Sequence, residues 1–239
     1  MSTIPYFEHY ARMNDLSPTG RACYWPMYDL IFSDILPRDR SAQILDIGCG
    51  AGLFLEWLSG QKGYSNAIGI DRDPGQVSFA RSLGLNVDLI EDPSVWLSER
   101  GGFELVVMSD VLEHIASPGD IALLHSVHSA MSSGGTLFLK VPNANSTFAG
   151  RFRYIDSTHH RSYTEDSLMH DLSATGFQKV EISAEPLIVP RSLPGLCRFA
   201  LLLCVRGLRR LEAIGEFGRP GFGFPLSLNL IATCCRGEP

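Results

Sequence analysis

No run in these 239 residues reaches the eighteen or so apolar positions that a membrane-spanning helix needs, so no span is expected. The amino-terminal MSTIPYFEHYARMND places no basic stretch ahead of an apolar one, so a secretory leader is not expected either. Six cysteines, Cys23, Cys49, Cys197, Cys204, Cys234 and Cys235, show no C-x-x-C spacing, which argues for reduced, cytoplasmic usage. Basic residues are in deficit, 20 Lys and Arg against 26 Asp and Glu, and a net charge of -6 argues against a protein that grips nucleic acid by its phosphates. Charged residues are few (19%) beside hydrophobic ones (45%), which excludes a disordered chain. There are no internal repeats and no low-complexity segments. The length allows one well-buried core and demands no second, so residues 1 to 239 are read as a single domain whose partners are small metabolites or a lipid-linked substrate.

What is present is organised around Ile44 to Gly52, ILDIGCGAG. Ile44, Leu45 and Ile47 make a buried strand. Gly48, Gly50 and Gly52, with Cys49 between them, then remove side chains where the backbone must turn and let a ligand approach, and Leu53, Phe54 and Leu55 start a helix. Such a turn serves a nucleotide or a nucleoside. The dinucleotide fingerprint needs a third glycine three places after the second, where this chain has Leu53. Asp46, at the strand end, would repel a pyrophosphate but suits a ligand carrying an ammonium and a sulfonium. About twenty residues on, AIGID ends a second strand in Asp71, followed by Arg72, where an acid can accept both ribose hydroxyls.

These residues resemble the class I S-adenosylmethionine (SAM) methyltransferases. The resemblance implies SAM as cofactor and an α/β, doubly wound, mostly parallel seven-stranded sheet with the last strand antiparallel. From residue 42 onward apolar runs alternate with helical patterns as such a sheet requires, with strands near 43 to 47, 66 to 70, 86 to 90, 103 to 108 and 135 to 141 and helices near 52 to 60, 74 to 83 and 119 to 132. Two more strands are read in QKVEISAEPLIV and LSLNLIATCC. The resemblance places Asp92, after the third strand, beside the adenine amino group; a helix cap before Pro93 is the alternative. In FELVVMSDVLEHI it places Met108, Ser109 and Asp110 beside the methionine part of SAM, with His114 either facing the site or structural. Residues 1 to 40 read as a helical leader of two short helices, in which Tyr6, Tyr10 and Arg21 are minor candidates for contact with the cofactor.

Acceptor chemistry is expected from two insertions over the carboxyl edge of the sheet. The first contains RYIDSTHHRSYTEDSL, which resembles a segment of methyltransferases encoded among bacterial surface-polysaccharide genes and, more loosely, the ubiquinone-type O-methyltransferases. It implies transfer to oxygen of a small or lipid-linked glycan, with a quinol or other phenol as the alternative acceptor. His159, matching the recurrent His of that motif, or His160 would take the hydroxyl proton. The alternative is that Asp156 and His159 only pin the loop, while Arg151, Arg153 and Arg161 make it basic and either hold a phosphate or uronate of the substrate or are solvated. His125 and His128 stand three apart on a helix without a third ligand, and no metal is expected.

The second insertion, about 188 to 225, carries a helix-like run, Leu196 to Leu211, with Arg198, Arg206, Arg209 and Arg210 on one arc and apolar residues around the rest. From Leu187 onward seven Arg face three Glu. This helix is read as a lid on its own domain, a contact with a second copy in a homodimer, or a peripheral anchor on the inner face of a membrane. Two further classes share the pattern: an NAD-dependent oxidoreductase, against which Leu53 and Asp46 speak, and a catalytically silent methyltransferase-like partner, against which the intact glycines and acids speak.

Overall fold

A computed structural model describes residues 6 to 237. The chain begins with three helices, α1 (Tyr6–Met13), α2 (Pro18–Ala22) and α3 (Trp25–Phe32), one more than the leader was read to contain. Strands and helices then alternate: β1 (Ile44–Ile47), α4 (Leu53–Lys62), β2 (Ala67–Asp71), α5 (Pro74–Ser82), β3 (Val87–Leu89), α6 (Pro93–Ser98), β4 (Phe103–Ser109), α7 (Gly119–Ala130) and β5 (Met131–Pro142). After these come α8 (Ala149–Ile155), α9 (Glu165–Ala174), β6 (Phe177–Ala184), α10 (Leu193–Phe217) and β7 (Asn229–Arg236), with single 3-10 turns at Leu112–His114 and Arg219–Phe222.

The seven strands form one sheet in the order β3-β2-β1-β4-β5-β7-β6, with β7 antiparallel to both β5 and β6 and the other pairs parallel. This is the doubly wound α/β architecture that the alternation implied. Side-chain alternation divides the core into two layers. Leu45, Ile47, Val106, Met108, Leu137 and Leu139 face one cluster, and Ile44, Leu105, Val107 and Phe138 face the other. Both faces are covered, which explains continuous apolar strands such as LVVM. Truncating one such leucine to alanine costs about 2–5 kcal/mol.

The leader belongs to the second layer. Phe32 packs on Phe54 and Phe138, each at a centroid distance of 4.5 Å, while Tyr28 meets Phe54 and Trp57. Arg21 is buried, its Nε and Nη2 donating to the two Glu56 carboxylate oxygens at 2.7 and 2.8 Å and its Nη1 to the Leu16 carbonyl. Arg21 thereby clamps α2 to α4; the Tyr6 side chain lies outside the described residues.

The helix in the second insertion is longer than expected, 25 residues, because Ser192 caps its start and Gly218, at φ 68°, ends it. None of its residues is buried. Its half-covered stripe includes Phe199, Arg206, Arg210 and Ala213, with Arg210 Nη1 donating to the Gly221 carbonyl, whereas Leu201, Leu208 and Leu211 stand 66, 68 and 66% exposed. Its leucines thus point outward, and three of its four arginines, Arg206, Arg209 and Arg210, are half-covered. Among the described residues no helix is long and apolar enough to cross a membrane.

Candidate active site

The crevice of an open α/β sheet lies outside the carboxyl ends of its strands, where neighbouring connections diverge to opposite faces. Here that point falls between β1 and β4, and a cleft of about 1190 Å³ opens there. Single-ligand pockets run to about 1,000 Å³, so this one has room for a cofactor and an acceptor together. Asp46 and Ile47 from β1, Asp71 at the end of β2 and Arg72 after it, Ser109 at the end of β4 and Asp110 after it, and Lys140 from β5 line it. The leader closes one wall with Tyr10, Tyr24, Met27 and Tyr28.

The floor is the glycine turn. Gly48, Gly50 and Gly52 have φ of 71, 53 and 78°, values that side chains disfavour. A Cβ on Gly48 would stand 2.4 Å from Val111 Cγ2, so the turn could not close against the β4 loop with any larger residue. Gly69 performs a similar service behind the turn, since a Cβ there would lie 2.6 Å from Cys49 Sγ. Cys49 therefore contributes its backbone to the turn, while its thiol packs against β2 and is pushed up in pKa by burial.

Two acids stand over this floor. Asp71 accepts the Gly50 N–H on Oδ2 and the Asp73 N–H on Oδ1, both at 2.8 Å, which fixes its carboxylate and leaves each oxygen a second lone pair toward the cleft. Asp46 is buried, and burial first, then the neighbouring Asp71 charge, raise its carboxyl well above the ordinary value. A cationic group in the cleft would lower it again. The cradle, the lone pairs of Asp71 and the buried acid fit a nucleoside whose far end is positive.

Beyond β4 the backbone is held in an unusual state. Asp110 has φ 57°, and its N–H donates to the Lys140 carbonyl while Oδ2 receives Lys140 Nζ at 2.6 Å. Burial presses Lys140 downward, but this pairing outweighs it and holds the ammonium above its ordinary pKa. Glu113 and His114 follow in the 3-10 turn. Burial, with Asp110 second, pushes Glu113 up to about 8.

The first insertion folds back onto this turn, the His160 N–H donating to the Glu113 carbonyl at 2.7 Å. That bond brings Asp156, Thr158 and His159 beside His114. His114 Nδ1 lies 2.7 Å from Thr158 Oγ1, and Thr158 Oγ1 donates to Asp156 Oδ1 at 2.7 Å. The His114 and His159 rings meet edge to face at 4.5 Å. Burial, followed by the charge of His159, lowers His114 below its ordinary pKa. His114, Asp156 and Thr158 line the cleft, His159 stands behind His114, and the ring of His160 is exposed.

Other expected contacts are placed elsewhere. Met108 is fully buried in the core, leaving Ser109 and Asp110 at the cleft. Asp92 caps α6, its Oδ1 accepting from the Ser94 and Val95 N–H groups, and the cleft at this height is lined by Ile90, Glu91 and Pro93. Arg161 pairs with Asp120 at 3.0 Å and Asp171 at 3.1 Å and lies over Tyr163, which ties α7 to α9 and takes it away from substrate. Arg153 stacks on Tyr154 outside the cleft. His128 rests edge-on against Phe177 as part of the packing under β6. Glu113, Thr158 and Lys140 were not singled out from the sequence. An acid beside a His at a strand end, followed by a second His in an insertion, was the available signal for Glu113.

A family model described as a methyltransferase domain matches residues 27–182. Over 109 residues the chain is 31% identical to a ubiquinone biosynthesis O-methyltransferase of Pseudomonas aeruginosa, covering 43% of this chain and 45% of that protein, so it spans under half the length of that relative. A SAM-dependent methyltransferase from Archaeoglobus fulgidus superposes with a TM-score of 0.68 at 22% identity, covering 96% of this chain and 99% of that one. A phosphoethanolamine N-methyltransferase from Haemonchus contortus, in complex with phosphomonomethylethanolamine and S-adenosylhomocysteine, gives 0.57 at 14% identity, covering 100% of this chain and 62% of that one. The strand order, the cleft over a glycine turn and a family match across most of the sheet lead to one assignment: the chain belongs to the class I SAM-dependent methyltransferases.

Proposed function

We propose that the protein transfers a methyl group from SAM to an oxygen of a lipid-linked or small glycan acceptor. When bound, SAM supplies an electrophilic methyl on a sulfonium. The chain's own part is to hold that cation and to bring an acceptor into line with it, and alignment carries most of the rate effect. Asp71 would take the ribose hydroxyls, the glycine turn would admit the backbone-close part of the ligand, and Asp46 would face its positive end, with Ser109 and Asp110 alongside. The acceptor hydroxyl would lose its proton beside the His114–His159 pair rather than at His160.

The observation that carries this reading is the meeting of the insertion with the cleft, where the Asp156–Thr158–His114 chain of hydrogen bonds ends beside the room left for an acceptor. A lipid-linked acceptor is supported by α10, whose outward leucines suit the surface of an anionic membrane; a contact between two copies would cover the same residues. A quinol acceptor is the second reading, favoured by the curated relative's name. Incubation with methyl-labelled SAM, offering in parallel a lipid-linked saccharide extract and a soluble catechol, separates them. Label in the saccharide is the expected result, label in the catechol favours the second reading, and label in neither contradicts transfer to these oxygens.

A further inference from the structure

Among the described residues, Glu113, His114 and His159 each offer one ligand atom, and these three atoms lie within 4.8 Å of one another. Glu113 is 1% exposed, and its Oε2 is buried without a hydrogen-bond partner. A carboxylate oxygen left so is costly unless something meets it.

The hydrogen bonds around the two rings define which nitrogen is free. The Phe152 carbonyl, 2.7 Å from His159 Nδ1, can only accept, so Nδ1 carries the proton and Nε2 the lone pair. At His114 the Thr158 hydroxyl donates its hydrogen bond to Asp156, so it accepts from Nδ1, and Nε2 is again unprotonated. Outer partners that fix both imidazoles in this way are what metal-binding histidines have: a backbone carbonyl for one and a route to a carboxylate for the other.

We propose that Glu113, His114 and His159 bind a divalent transition-metal ion. Two imidazoles and one carboxylate suit zinc or another first-row ion and suit magnesium poorly, since magnesium prefers oxygen ligands and retained water. Three protein ligands leave a coordination position open, and His114 belongs also to the cleft wall. The role of the ion rests on the methyl-transfer reading above. It acidifies an acceptor hydroxyl, whose proton leaves to solvent water; the oxygen–methyl bond forms as the sulfur–methyl bond breaks, and the sulfonium becomes a neutral thioether. A lone pair held by a metal takes no proton, so the His pair acts through the ion rather than as a base.

Equilibrium dialysis of metal-stripped protein against Zn²⁺, Co²⁺ or Mg²⁺, with bound metal counted by atomic emission, tests the site, and a SAM titration of the same samples tests the methyltransferase reading separately. One Zn²⁺ or Co²⁺ per chain is expected, with affinity lowered by at least about tenfold in Glu113→Gln and His159→Gln and by about 10- to 100-fold in Asp156→Asn, which removes only an outer partner. Unchanged SAM affinity shows that each variant is folded; where His114→Ala loses it, the Asp156→Asn and His159→Gln variants report the same site. No bound Zn²⁺ or Co²⁺, Mg²⁺ binding alone, or full Zn²⁺ affinity in the variants overturns the inference even where SAM binds normally. Metal bound without SAM binding leaves the site standing and removes its role.

Discussion

At the end of β2 the Asp71 carboxylate is fixed by two backbone N–H groups, so replacing it does more than remove contacts to a ribose. Asp71→Ala also frees the Gly50 N–H that helps to shape the turn. Loss of charge-assisted hydrogen bonds and of this support should weaken SAM binding by about 2–4 kcal/mol. Asp71→Asn, which keeps one acceptor oxygen, should fall between. Calorimetry on folded variants checks both, and unchanged affinity in the alanine variant would contradict the placement of the ribose. Asp46 offers a test by pH. Its folded-state carboxyl is raised from 3.8, so the native protein holds a proton that the unfolded chain has released, and stability falls as pH rises from the ordinary carboxylate range toward the raised value. Asp46→Asn removes this slope. Denaturant midpoints of parent and variant, without ligand, should therefore diverge in favour of the variant as pH rises through that window; parallel curves would show that Asp46 is not held protonated. Both acids were legible in the sequence because they end strands on either side of a glycine turn. The pairing of Arg161 was not, since which distant acids meet an arginine depends on packing. Asp120 and Asp171, the partners of Arg161, lie in separate helices with no local signal linking them.

Among the elements, α10 departs most from expectation. Its arginine arc was legible from the sequence, but which side it would present was not. In the structure Arg206 and Arg210 turn inward, Arg210 donating to the Gly221 carbonyl, and the leucines stand outward. An apolar face left outward needs a partner. With Arg198 still exposed, the intact protein should float with vesicles containing anionic lipid at low salt, and Leu201→Glu with Leu208→Glu should abolish flotation without changing SAM affinity. Parent protein that stays in the soluble fraction and sediments as a dimer would assign the face to a second copy. The β1 to β5 spans were predicted within a few residues, β5 extending four residues further at its start, since buried parallel strands write their bounds as apolar runs closed by polar or glycine residues. By contrast β6 ends at Ala184, short of the apolar PLIV that follows it, because its pairing with β7 runs only as far as Leu230. Pairing with a distant strand has no signature in the segment itself.

Seen as a molecule, the chain joins a rigid α/β sheet to three attachments that converge on one edge: the helical leader, the loop after β5, and the glycine turn itself. The order β3-β2-β1-β4-β5-β7-β6 places the ends of β1, β2 and β4 at the same height, which is why residues as far apart as Asp46, Asp71 and Ser109 share a cleft. That convergence follows from the fold, and the fold was readable from the alternation of runs. The acceptor is a property of the attachments, where no periodic pattern constrains the sequence. The assignment depends most on the buried acid and the close glycine spacing, which together favour a nucleoside with a cationic end over a dinucleotide. Parallel calorimetric titrations of the unmodified protein with SAM and with NAD measure this directly. Saturable binding of SAM at one site per chain with no detectable binding of NAD is the predicted result; equal affinity for the two, or binding of NAD alone, would contradict it.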